Sequence, residues 1–425
     1  MCRSNRAFAL VLCVAALGRV GEVRAQGFGT DLQNVVAPAS GGMAGVSVAR
    51  PQDVPSAIFG NSASLTQFAG TQMTFGGAWI EGYPTISNDG SLNGGTPFSV
   101  TSRAQGLVAP EIGLTQNFKI GGRSATFGLG LGSLSGASAE YRGRAPGTIL
   151  NNFSSQYIVL GVNAGIGVAI TDRLSVGASA TLGTAFEQLG FVGPIVGSAM
   201  VTAYGLRGSV GLNYNLNDRN TLGAYWQSPM TFQFPNAIRF LGAYNDLRIQ
   251  QPDTVGLGWA NRSLMDGNLL LATDVYFKNW SSAELWQDVL VNQWVASVAA
   301  QYTRNLWKFR IGYAYNTNPI KKNVGPNLDG FPILQQNVQI FQAGSAPFVY
   351  QNRLTLGIGR QGFLVPNLDL DMFLGGVFKG SQNFGPDTSA SLALYYAGLG
   401  LTYRFGSGSP RPSGLGTECS NCRGR

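Results

Sequence analysis

Apolar and polar residues alternate strictly along much of this chain. Leu174, Val176, Ala178, Ala180 and Leu182 alternate with Arg173, Ser175, Gly177, Ser179 and Thr181. A later run sets Ala393, Tyr395, Ala397, Leu399, Leu401, Tyr403 and Phe405 against Tyr396, Gly398, Gly400, Thr402 and Arg404. A period of two places every second side chain on one face of a strand. Fourteen strands are predicted, near 72–82, 110–118, 124–133, 156–170, 173–184, 203–216, 220–233, 253–261, 268–279, 294–303, 307–316, 352–361, 367–379 and 391–405. Asp, Asn and Gly, which tolerate positive φ, dominate most of the tight connections, among them Thr171-Asp172 and Asn217-Asp218-Arg219. They take turns with long ones at 83–109, 134–155, 185–202, 234–252, 280–293, 317–351 and 380–390. An even strand number with short and long connections alternating predicts an all-β fold, a 14-stranded antiparallel transmembrane β-barrel over residues 71–405. Short turns mark the periplasmic rim and long loops the exterior, so both termini face the periplasm. Residues 26–70 show no strand pattern and are expected to fold into the lumen as an N-terminal hatch.

Composition agrees with a barrel wall. Gly makes up 59 of the 425 residues and only 12% are charged, against about a quarter in soluble domains. Residues 1–25 read as a secretory signal: Arg3 and Arg6, an apolar segment from Ala7 to Leu17, and Val23-Arg24-Ala25 before Gln26. That apolar segment is too short to span a bilayer. The net charge of +8 sits mostly in this leader and in the tail 406–425. No basic stripe of the kind that binds nucleic acid remains. Two uncharged stretches, 153–171 and 188–206, are long enough for membrane helices, but Gly residues and Pro194 interrupt them. Only closed barrels otherwise satisfy every backbone group in lipid, which directs the chain to a bacterial outer membrane.

The N-terminal segment carries two runs, Gly42-Met43-Ala44-Gly45-Val46-Ser47-Val48-Ala49 and Ser56-Ala57-Ile58-Phe59-Gly60-Asn61-Ser62-Ala63-Ser64-Leu65. With Gly27-Phe28, Val108-Ala109-Pro110-Glu111, Tyr204-Gly205-Leu206-Arg207, Trp307 to Tyr313 and the terminal Tyr403-Arg404-Phe405, they resemble the FadL/TodX family of outer-membrane transporters of long-chain fatty acids and other hydrophobic compounds. The resemblance runs from the mature N-terminus to Phe405. It implies a barrel plugged by a hatch, capture of ligand on external loops, passage to an interior pocket, hatch movement, and exit through the wall. Asn61, Ser62 and Ala63 correspond to the family's Asn-Pro-Ala hatch motif. Ser62 departs from it, which bears on hatch rigidity and not on the fold. Phe28 corresponds to a Phe that reaches toward the ligand. The family's lateral opening lies at a kink in the third strand, which marks Gly132 to Gly136; glycine used only to fit a tight wall is the alternative.

The external loops are apolar where a porin's would be polar. The third contains Phe186, Leu189 and Phe191; the fourth contains Ile238, Phe240 and Leu241, with Arg239 and Arg248 beside this apolar run. Such clusters mark a binding surface for hydrophobic small molecules, or loops that pack on one another; the two are compatible. Arg239 and Arg248 could meet a carboxylate headgroup or remain solvated. Inward charges, among them Arg207, Arg310, Arg353, Asp274, Asp369 and Asp371, are expected to pair with each other or with the plug. The chain has no His, which removes Ser-His hydrolysis and most catalytic metal sites, so no enzyme, cofactor or metal is expected. Cys419 and Cys422 fall on the tail, where an incidental or oxidised pair is expected. The expected partners are hydrophobic ligands, outer-membrane lipid and the barrel assembly machinery, with the chain a monomer. A general diffusion porin and a structural or adhesive barrel without transport are the alternatives.

Overall fold

A computed structural model describes residues 32–91, 95–146, 148–190, 194–197, 199–345 and 351–406. The leader, Phe28, Phe191, Cys419 and Cys422 lie outside them. Alternation translates directly into strands: β1 (Thr71–Gly82), β2 (Leu107–Ile120), β3 (Arg123–Glu140), β4 (Ser154–Ala169), β5 (Leu174–Gln188), β6 (Val201–Asn217) and β7 (Asn220–Gln227). They continue as β8 (Thr254–Leu264), β9 (Leu269–Lys278), β10 (Gln293–Arg304), β11 (Trp307–Asn316), β12 (Asn352–Arg360), β13 (Leu368–Phe384) and β14 (Thr388–Phe405). Each pairs antiparallel with the next, and β1 closes on β14 with Thr71 opposite Phe405. Closure leaves no edge unpaired in hydrocarbon. The outward face is apolar: Tyr204, Leu206, Val108 and Phe75 are 69%, 67%, 62% and 62% exposed. An aqueous surface could not hold such a continuous band, whereas lipid solvates it.

Several strand boundaries depart from the sequence expectation, with β5 and β13 running on to Gln188 and Phe384, and two departures change the picture most. The strand expected at 220–233 ends at Gln227, and Met230–Phe240 leaves the wall. It pairs instead with Ala243–Gln251 and Ile195–Gly197 in a separate three-stranded sheet. The period of two continues across Pro229, so alternation alone cannot register that the partner has changed. The strand expected to stop at 133 runs on as β3 to Glu140. A bulge against β4 between Ser133 and Ser135 shifts its faces, which erases the alternation that marked it. The first long loop also adds a hairpin, Thr85–Asn88 with Phe98–Thr101, beside β14.

Residues 32–70 fill the bore. Three 3₁₀ turns (Gln33–Val36, Ser40–Met43, Ser62–Gln67) and helix α1 (Val54–Phe59) fold around Asp53. Its Oδ1 accepts from the Ser56 N–H at 2.8 Å and caps α1, while Oδ2 accepts from Ala39 and Ser40 N–H at 2.9 and 2.7 Å. Val36, Met43, Val54, Ile58 and Leu65 are completely buried. Inward charges pair as expected. Arg310 Nη1 donates to Asp371 at 2.6 Å, and Arg404 bonds to Asp369. Asp274 accepts from the Ser47 and Val48 N–H groups at 2.6 and 3.0 Å, and Arg353 donates to the Ala44 carbonyl at 3.0 Å.

Candidate functional site

The hatch seats on the wall through backbone as well as side chains. A Cβ on Gly177 of β5 would stand 2.7 Å from Ser62 O and closer still to Ser62 C and Ala63 N. On Gly312 of β11 it would stand 2.8 Å from Met43 Cα. Only glycine permits that approach. Asn61 completes the seat. Its Oδ1 accepts from Ala63 N–H at 3.1 Å, capping the turn Ser62–Gln67. Its Nδ2 donates to the carbonyls of Val48 and Leu212 at 3.0 and 3.1 Å, and to Asn213 Oδ1 at 2.6 Å. Ser62 is the first residue of that turn, where the missing N–H of a proline costs nothing. The turn forms without one. The Ser62 hydroxyl is buried and has no hydrogen-bond partner.

At the long-loop rim, the loops fold inward to make an apolar roof. In the three-stranded sheet Phe232, Phe234, Ile238, Leu247 and Ile249 are buried, while Thr231, Gln233, Arg239, Tyr244 and Arg248 are exposed. The buried face packs on Tyr157, Trp280, Trp286 and the helix α2 (Gln335–Ser345), which contributes Val338, Ile340 and Phe341. Leu189 joins this cluster, and Phe240 packs against it with its ring centroid 5.3 Å from that of Phe331. Phe186 does not. It lies within β5, on the outward face with Leu182, because the strand outlasts its expected end. Leu241 is 78% exposed at the hairpin tip. Arg248 approaches Glu284 at 3.5 Å, and Arg239 stands on the solvent face. Neither arginine points into the roof.

Between hatch and roof lies a small pocket lined by Asn34, Phe59, Glu111, Ser133, Leu134, Arg207, Tyr225 and Gln227. Phe59 contacts both the roof cluster and the hatch core. Gln227 Nε2 holds the Phe59 carbonyl at 2.9 Å. The pocket adjoins a defect in the wall. The ladder between β2 and β3 ends with Glu111 opposite Gly132, although both strands continue. Gly132 and Gly136 sit at this seam. A Cβ on Gly132 would meet Phe59 at 2.8 Å and Glu111 Oε2 at 2.9 Å, and one on Gly136 would meet Leu107 at 2.7 Å. A polar cleft lined by Arg103, Gln105, Glu140, Arg142 and Gln156 opens above it.

Sequence reasoning missed Glu111, Leu134, Tyr225 and Gln227, and Phe59 carried no role in it. One signal was available: Pro110 interrupts a strand that cannot use a proline at both neighbours. The described residues contain no group of three or more His, Cys, Asp or Glu able to hold a metal ion. No described helix is long and apolar enough to cross a membrane, which says nothing against crossing by strands.

No protein-family model matches the sequence, and comparison with curated proteins gives no match. Solved structures do match. The P. putida toluene transporter TodX superposes with a TM-score of 0.67 at 18% identity, over 89% of this chain and 100% of its own. A Pseudomonas aeruginosa FadL homologue gives 0.68 at 15% identity, over 89% and 100%. The Ralstonia pickettii toluene transporter TbuX gives 0.60 at 17%, over 87% and 98%. The resemblance carried by the N-terminal residues thus extends to the whole fold, which is that of the FadL/TodX structures.

Proposed function

We propose that this chain is a FadL/TodX-type channel of the bacterial outer membrane that admits hydrophobic small molecules passively. Long-chain fatty acids come first and aromatic hydrocarbons next. The carrying observation is a bore filled at both ends, hatch below and apolar roof above, beside a wall whose ladder stops at Glu111 and Gly132. A ligand is captured among the loop residues Leu189, Ile238, Phe240 and Leu241, with Arg239 and Arg248 at the solvent face for a carboxylate. It passes Phe59 to the pocket as the hatch shifts, and leaves through the seam flanked by Gly132 and Gly136. Burying each methylene of an acyl chain is worth about 0.8 kcal/mol, so a partly opened roof concentrates such a ligand from dilute solution. The long loops face the exterior, both termini face the periplasm, and the chain acts as a monomer.

A diffusion porin needs an open bore, which this packing argues against. The test is uptake of radiolabelled oleate and toluene by a deletion strain with and without the gene, together with planar-bilayer recording. Gene-dependent uptake with low, flickering conductance supports the reading. Steady large conductance, or uptake indifferent to the gene, refutes it.

A further inference from the structure

We infer that Glu111 is a positioning residue of the wall: beside Pro110, which lacks the N–H for a reciprocal ladder pair, its carboxylate accepts the Ser133 N–H in place of the Pro110 carbonyl, so a side chain rather than backbone holds the seam between β2 and β3. Glu111 is opposite Gly132, so the next pair would be Pro110 opposite Ser133. The Ser133 N–H points toward β2, because it donates to Glu111 Oε1 at 3.2 Å. In an antiparallel ladder, a residue whose N–H faces its neighbour is paired with one whose N–H faces back. Here that residue is proline, which has none. On its other side β2 is unaffected, and pairing with β1 runs on to Leu107 opposite Ile80.

Two further features complete the device. Gly132 leaves space for the carboxylate, since a Cβ there would stand 2.9 Å from Glu111 Oε2. Beyond the seam, the bonds that tie β3 on this side include Leu32 N–H to Leu134 O at 3.0 Å, Arg103 N–H to Glu140 O at 2.8 Å, and Glu140 N–H to Ser102 Oγ at 2.7 Å, and at the seam itself Ser133 Oγ lies 3.5 Å from the Pro110 carbonyl. The first of these comes from the start of the hatch segment, so the edge and the hatch share a restraint. A backbone ladder opens only by unzipping the strand. A carboxylate releases Ser133 by rotating about its own side-chain bonds, into the pocket that it already lines.

That the seam serves as an exit rests on the function proposed above; that Glu111 holds it does not. The test uses the full-length protein, its folded state confirmed by heat-modifiable gel migration. Amide exchange is followed by mass spectrometry across Ser133 to Gly136, and oleate uptake is followed in proteoliposomes. Pro110→Ala restores the donor and should slow exchange there about tenfold, with a matching fall in uptake and unchanged oleate binding. Glu111→Ala should speed the exchange about tenfold, while Glu111→Gln, which keeps an acceptor oxygen, should return it to the wild-type rate. Wild-type exchange in both Pro110→Ala and Glu111→Ala overturns the inference, as does Glu111→Gln behaving like Glu111→Ala. If Pro110→Ala does not fold, the two Glu111 variants decide. The predicted exchange pattern in a wild-type protein that moves no oleate upholds the Glu111 assignment and refutes transport.

Discussion

Asn61→Ala should unseat the hatch. The side chain makes four hydrogen bonds, three of them buried and one part-buried: one acceptor bond that caps the Ser62–Gln67 turn and three donor contacts, of which two cross to β6. Loss of a cap costs about 1 kcal/mol. Loss of the donor contacts, at about 0.5–1.5 kcal/mol each and with buried oxygens left unpaired, adds about 2–4 kcal/mol. At 1.36 kcal/mol per tenfold, a total of about 3–5 kcal/mol raises the open fraction of the hatch by about two to four orders of magnitude. Planar-bilayer recording reads this as frequent conductance bursts, and limited proteolysis reads it as cleavage within 32–70. Asn61→Asp sharpens the test. Aspartate keeps the acceptor that caps the turn, yet it turns a charge toward three oxygens that had been accepting hydrogen bonds. It should therefore be worse than alanine. Wild-type conductance in Asn61→Ala, or a mild Asn61→Asp, would refute the view that the donor contacts seat the hatch.

Other outcomes follow from the same packing. Ser62→Pro should stabilise the protein by about 0.4–1 kcal/mol, because Asn61 is already extended (φ −85°, ψ 100°) and the unfolded chain loses freedom; thermal unfolding monitored on folded and unfolded gel bands reads it. Gly312→Val should displace Met43 and Ala44 and open the bore, whereas Gly325→Val, where a Cβ meets nothing within 4 Å, should leave conductance unchanged. Phe240→Asp should weaken oleate binding at least tenfold by placing a charge against Phe331 and the roof, while the 78% exposed Leu241→Asp should leave stability unaltered. Burial, with Asp288 and Glu284 nearby, pushes the Asp329 carboxyl from 3.8 up to about 6. The folded state then holds this proton more tightly than the unfolded chain, so stability of the sixth long loop falls as pH rises from about 4 to 6 and is level above. Proteolysis of 317–345 at pH 5 and pH 8 should show more cleavage at pH 8, and Asp329→Asn should remove the difference.

The wall was legible because its cause is local. Each strand in lipid must present apolar side chains on one face, so a period of two recurs whatever the strand's partner is. Turn residues such as Thr171-Asp172 declare themselves for the same reason. The pairing of inward charges was foreseeable in kind, since a buried ion needs a partner, although sequence could not say that Asp274 would hold the Ser47 and Val48 amides while Asp371 took Arg310.

What the tertiary structure alone decided depends on register and depth. The same parity of apolar positions that holds from Leu222 to Trp226 resumes from Met230 to Phe234, yet beyond Gln227 the chain leaves the barrel for another sheet. Phe186 and Leu189 are three residues apart in one predicted loop, and one faces outward while the other enters the roof. The ladder ends where Pro110 would next fall opposite Ser133, a coincidence of two strands that neither encodes by itself. Patterns within one segment record which face meets lipid. Which backbone meets which is settled only when the cylinder closes and the hatch is pressed against it.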